Sequence, residues 1–212
     1  MTGTPSDKLY PGFDQAVPDV PTSRDVGWNQ LPYQLTGVRP NQIPYAGQDK
    51  PFFGNEYFHV LEISAIPNGY RAYICDGSYN VFRPSQEYPG KYYSVKDARA
   101  ANNPDVGLAR VEFSKHEGKE ITASQKGSNP APLDNVFGGW HIDGSSGAYW
   151  GSERSGEPVS FDPRQAEYTE RLAKCNVSMP HTAEQRIAIQ KSILDTPPKA
   201  EPAVPGWPDN PA

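Results

Sequence analysis

EYFHVLEISAIPNGYRAYIC, residues 56–75, is the stretch on which the reading of this chain turns. Its first eleven residues are rich in aromatic and β-branched side chains, which suit a pleated strand. Pro67, Asn68 and Gly69 then interrupt the run, and Asn-Gly is a pair that supplies the positive φ angles a tight hairpin wants. YRAYIC returns as the second strand. The expectation is an antiparallel hairpin at the centre of the chain, its second strand closed by a turn at Asp76-Gly77.

The same texture continues on the C-terminal side. In LARVEFS, residues 108–114, Ala109, Val111 and Phe113 alternate with Arg110, Glu112 and Ser114, the period of a half-buried strand. HEGK would turn the chain, and EITAS repeats the alternation through Ile121 and Ala123. A third pair is expected around FGGWHI (137–142) and AYWGSE (148–153), joined by DGSSG. Between Tyr88 and Asn103 the pattern is weaker, and SVKDARAAN reads as a candidate short helix.

Two helices are expected after this sheet. In FDPRQAEYTERLAKC, residues 161–175, Asp162 is placed to cap, Pro163 to occupy the first turn and Gln165 to complete a capping box. Tyr168, Leu172 and Cys175 then share one face. A second box, Thr182 with Gln185, leads into Ile187, Ile189, Ile193 and Leu194, and Pro197-Pro198 ends the run.

The flanks differ in kind. Residues 1–50 carry seven prolines and no apolar period of 2 or 3.6, so they read as an extended arm. That arm holds Tyr10, Phe13, Trp28, Tyr33 and Tyr45, too many sticky side chains for an inert linker. Residues 196–212 form a proline-rich tail with one aromatic, Trp207. The division is an arm at 1–50, an α+β domain at 51–195 and a tail at 196–212. The fold class is α+β, an antiparallel hairpin or meander core with two C-terminal helices. The six aromatics of arm and tail are the candidate partner-binding residues.

Composition limits the functions on offer. Only 36% of the 212 residues are hydrophobic, while 23 prolines and 19 glycines exceed the usual combined share of about 12%. Twelve tyrosines and four tryptophans still supply mass for one modest core. The net charge of −5 bears on solubility and names no partner. Basic residues are scattered without a nucleic-acid motif, and apolar runs fall far short of the ~20 residues of a membrane-spanning helix. The opening MTGTPSDKLYPGFDQ lacks the basic start and apolar centre of a signal peptide. Two expectations remain: the protein stays where it is made, or a leader has been removed and a start methionine added.

Three readings of Cys75-Asp76-Gly77 compete. A calcium loop would place ligands at Asp76, Ser78, Asn80 and Glu87, but the sixth position is Val81 where a glycine is needed. A nucleophile would need a base beside the thiol, and no signature places His59, His116, His141 or His181 there. A disulfide between Cys75, at a strand end, and Cys175, at a helix end, is simplest; the alternative is two free buried cysteines in a cytosolic protein. His141 and Asp143 share a strand face, as a metal or general-base pair would require, with Glu153 a third candidate; a solvated face is the plainer reading. Trp140, Tyr149 and Trp150 are read as core aromatics before a sugar or peptide platform. Asn176-Val177-Ser178 is a sequon at chance frequency. No Walker loop, dinucleotide fingerprint or paired-cysteine metal motif is present, so no cofactor, metal or catalytic residue is assigned.

The strand ending Ala72-Tyr73-Ile74-Cys75-Asp76-Gly77, with hairpins after it, resembles small exported β-rich domains of actinobacteria, often of unknown function, in which Cys-Asp-Gly closes an outward-facing strand. That resemblance covers about a third of the chain. It implies an extracellular or envelope setting and no catalytic residues. The sequence therefore supports first a non-enzymatic exported or envelope protein that docks on a partner protein through its arms. The alternatives are a structural accessory protein of a phage capsid or tail, located in the virion, and a small hydrolase or glycan-acting enzyme using His141 and Asp143.

Overall fold

The computed structural model describes residues 10–17, 32–36, 38–39, 51–96, 106–118, 120–121, 125–151 and 159–209. The central hairpin is β1 (Phe53–Ile66) and β2 (Gly69–Pro84), paired from Ile66↔Gly69 out to Phe53↔Phe82 with two bulges in register. Its turn is Pro67-Asn68, and neither Asn68 nor Gly69 takes a positive φ. Gly69 is needed for another reason: a Cβ there would lie 2.0 Å from the carbonyl oxygen of Phe113 on the next strand. Close approach of two backbones, not turn geometry, selects glycine at this position.

Four further strands complete one mostly antiparallel sheet. They are β3 (Tyr92–Ser94), β4 (Gly107–Lys115), β5 (Trp140–Ser146) and β6 (Ile193–Leu194), in the order β5-β4-β2-β3-β6, with β1 also paired to β2. LARVEFS is a strand as its alternation indicates, but its partners are β2 and β5. Residues 120–121 of EITAS lie outside any strand, and 122–124 fall outside the described residues. FGGWHI likewise pairs with β4, and Trp150 instead bridges Phe161. SVKDARAAN lies mostly outside the described residues.

Asp76-Gly77 is not a turn. β2 runs through it without a break to Pro84, with Gly77 opposite Tyr57 and Asp76 opposite Phe58. The same continuity removes the calcium loop, since Asp76, Ser78 and Asn80 are strung along an extended strand at intervals of about 7 Å and cannot wrap around one ion.

Helix α2 (Ala166–Ser178) starts later than its sequence signals suggest. Its N-cap is Gln165 with no side-chain cap, because the Asp162 carboxylate accepts from the backbone N–H and guanidinium of Arg164. Helix α3 (Ala183–Lys191) carries the full Thr182–Gln185 capping box. It ends at Lys191, and Ile193 and Leu194 leave it to form β6 against β3. Arg186 is 1% exposed and joins the helices, donating to the carbonyl oxygens of Asn176 and His181 and to Asn176 Oδ1. One orphan carbonyl in the last turn of α2, that of Asn176, is thereby satisfied.

The core lies between α2 and one face of the sheet. Cys175 and Met179 pack with Tyr73, Cys75, Val106, Leu108, Trp150 and Phe161, and Tyr168 and Leu172 close the edge. On β4 this covered face holds Leu108 and Arg110, both buried, while Phe113 on the other face is half-buried. A charged residue faces inward because a built partner set receives it: Arg110 donates to Glu112 and Ser160, and its guanidinium lies 4.2 Å from the Trp150 ring centroid.

Candidate functional site

The two cysteines are joined, with Cα atoms 5.3 Å apart and a sequence separation of 100. Strand β2 places Cys75 on the covered face, and α2 brings Cys175 onto it one turn beyond Leu172. Both sulfurs are fully enclosed by the core, so the bridge has no exposed thiol chemistry to offer. Asp76, on the opposite face, sits beside Glu56. Burial first, and then the charge and hydrogen bond of Asp76, push the Glu56 carboxyl above its ordinary range. Among the described residues no group of three or more His, Cys, Asp or Glu is arranged to hold a metal ion.

The arm and tail aromatics divide. Trp28 and Tyr45 lie outside the described residues. Tyr10 is half exposed, while Phe13 opens the short helix α1 (Phe13–Ala16) and lies under the guanidinium of Arg39 at 5.6 Å. Tyr33 begins a single 3-10 turn (Tyr33–Leu35), packs its ring at a tilt against Tyr149 at 5.1 Å and donates its N–H to the carbonyl of Gly151. Trp207 exchanges two backbone hydrogen bonds with Asn129. These described segments therefore lie against the chain's own body, one of the two surfaces, its own or a partner's, that the sequence leaves open for the arm.

His141 and Asp143 do share a region of β5, and the fold adds two residues that sequence reasoning missed. Ser114 Oγ donates to Asp143 Oδ1 at 2.8 Å and lies 3.1 Å from His116 Nε2, and the His116 and His141 rings are 4.1 Å apart. The i, i+2 spacing of Ser114 and His116 signals a common side, but only the β4–β5 pairing brings His141 opposite Ser114. As chemistry the cluster is weak. The Ser114 proton is directed at a carboxylate that, in the contacts present, does not orient a histidine, contrary to the order a serine nucleophile requires. Glu153 lies outside the described residues. The sequon asparagine is also engaged: Asn176 lies inside α2, donates to the Leu172 carbonyl and accepts from Arg186.

Trp140, Tyr149 and Trp150 do not form one platform. Trp150 is core beneath Arg110, Tyr149 meets Tyr33, and Trp140 joins Tyr70 and Phe113 on the opposite face of the sheet. That opposite face is a candidate surface. The β1–β2 register puts Phe58, Val60, Ile63 and Tyr70 on it, and they are 65%, 53%, 58% and 42% exposed. The Tyr70–Phe113–Trp140 trio extends it across β4 to β5, with ring separations of 5.5–5.9 Å. Scattered exposed apolar residues need no explanation, but a contiguous face on a chain this polar does.

Comparison with protein-family models, with curated proteins and with solved structures finds no match for this chain.

Proposed function

We propose that this is a non-enzymatic interaction protein of the extracellular or envelope compartment, which docks on a protein partner. The observation that carries the reading is the exposed apolar sheet face of Phe58, Val60, Ile63 and Tyr70. An apolar face of this kind marks a surface that is covered in use. The disulfide supports an oxidising compartment, and no helix among the described residues is long and apolar enough to cross a membrane. The half-exposed Tyr10 of the arm would then add a contact to that partner. A structural accessory of a phage capsid or tail is the second reading; it expects free thiols, which the bridged pair disfavours.

A photo-crosslinking residue placed at Phe58 or Ile63 in the native host tests the docking. The expected result is one discrete protein adduct, lost in the Ile63→Lys variant and absent when the same residue is placed at exposed Val177 on α2. Equal adducts from all three positions would refute a specific interface. Intact mass of natively purified protein under an alkylating label tests the compartment, and two labelled thiols would sink the export reading.

A further inference from the structure

A pocket of about 430 Å³ lies at the far end of the sheet from the apolar face's aromatic trio, between the β2–β3 connection, β3, the last turn of α3 and β6. Its walls include Tyr88, Tyr93, Ser94, Lys96 and Gln190. The volume is within the range of small-molecule sites. Its frame is tied at several points: Ser85 N–H donates to Lys91, Lys91 pairs with Asp195, and Tyr93 is paired to Ile193 across β3–β6.

Gln190 is the group that needs an account. It is 5% exposed, and neither its Nε2 nor its Oε1 has a hydrogen-bond partner. The neighbouring hydroxyls are already committed: Ser94 Oγ donates to the Tyr79 carbonyl and accepts from Lys96 N–H, and Ser192 Oγ donates to the Ile189 carbonyl. A buried carboxamide with both its donor and its acceptor unsatisfied is costly, and native structures retain such groups for a reason. Gln190 is itself one of the residues lining the pocket, so a molecule seated there can bring the missing donor and acceptor.

We propose that this pocket binds a small neutral molecule presenting a hydrogen-bond donor and acceptor side by side on a planar group, a primary carboxamide or a lactam ring. Gln190 selects that chemistry by what it lacks. A carboxylate brings only acceptors and leaves Oε1 unpaired; an ammonium brings only donors and leaves Nε2 unpaired; an amide edge satisfies both at once. Tyr88 and Tyr93 supply aromatic surface for a planar ring. The site is separate from the docking face and does not depend on the function proposed for it.

The test is a titration of the full ¹⁵N-labelled chain with benzamide, 2-pyridone, benzoate and benzylamine, following the side-chain amide resonances. Benzamide and 2-pyridone are expected to move the Gln190 NH₂ signals saturably, and benzoate and benzylamine to bind at least about tenfold more weakly, the loss an unpaired buried group imposes. Gln190→Leu and Gln190→Met are expected to keep the fold, melt no lower than the parent, and lose amide binding by at least about tenfold. Equal binding of benzoate and benzamide, retained binding in both variants, or no saturable shift with either amide would each overturn the proposal.

Discussion

Opening the Cys75–Cys175 bridge is the perturbation whose size follows most directly from the fold. The bridge closes a loop with a sequence separation of 100. In the chain-entropy account a loop of that length withholds about 4.7 kcal/mol of disorder from the unfolded chain. A domain of ordinary stability has about 5–15 kcal/mol in all, so the bridge is a third or more of it. For a chain of this size each kcal/mol moves the midpoint by about 2–4 °C, and the expected fall is on the order of 10–20 °C. The assay is thermal and urea unfolding of Cys75→Ala/Cys175→Ala beside the reduced parent. Removing two buried sulfurs also leaves space in the core, and agreement between variant and reduced parent separates the cross-link from that packing loss. The structure adds a local expectation: α2 amides should lose hydrogen-exchange protection first, because Tyr168, Leu172, Cys175 and Met179 hold it on the sheet. A midpoint shift smaller than about 3 °C, with α2 protection unchanged, would refute the reasoning.

Two further outcomes follow from buried polar groups. Arg110→Met should destabilise by about 1–3 kcal/mol, since the Glu112 carboxylate in the covered face loses the partner that donates twice to it and keeps only Arg71; recovery in Arg110→Met/Glu112→Leu by urea unfolding would identify the under-paired carboxylate as the cause, and a loss below about 0.5 kcal/mol would contradict it. Tyr79 is pushed up to about 12, by burial first and by neighbouring Tyr57 second, against the pull of Arg186. The unfolded chain releases that proton near pH 10 and the folded chain holds it to about 12, so the contribution is intact below pH 10 and is lost as pH rises through 12. Alkaline absorbance titration should show a late tyrosine component that is reduced in Tyr79→Phe, and a late component unchanged in that variant would contradict the burial argument.

Much of the fold is legible because it is local. The β1–β2 hairpin follows from two strand-like runs around Pro67-Asn68, and the Thr182–Gln185 box is read from four residues because its bonds span only those four. The shared face of Tyr168, Leu172 and Cys175 is likewise a helical period, and it brings Cys175 to the sheet. Ser114 and His116 show where this stops. Their common side is visible in the chain, but their neighbours His141 and Asp143 arrive from a strand 24 residues beyond β4, by a pairing no local pattern encodes.

By itself, then, the sequence determined the elements whose causes lie within a few residues: strand alternation, one helix cap, and the apolar stripe that seats α2. Tertiary structure alone decided the rest. Asp76-Gly77 reads as a turn in isolation, yet ladder bonds from both β1 and β4 hold it extended. Arg110 reads as solvent-facing, yet Glu112, Ser160 and Trp150 make the covered side of β4 its better environment. The reason is common to both. A strand has two faces and two edges, and which of them is covered depends on chain that returns from far away, so the period tells only that the faces differ.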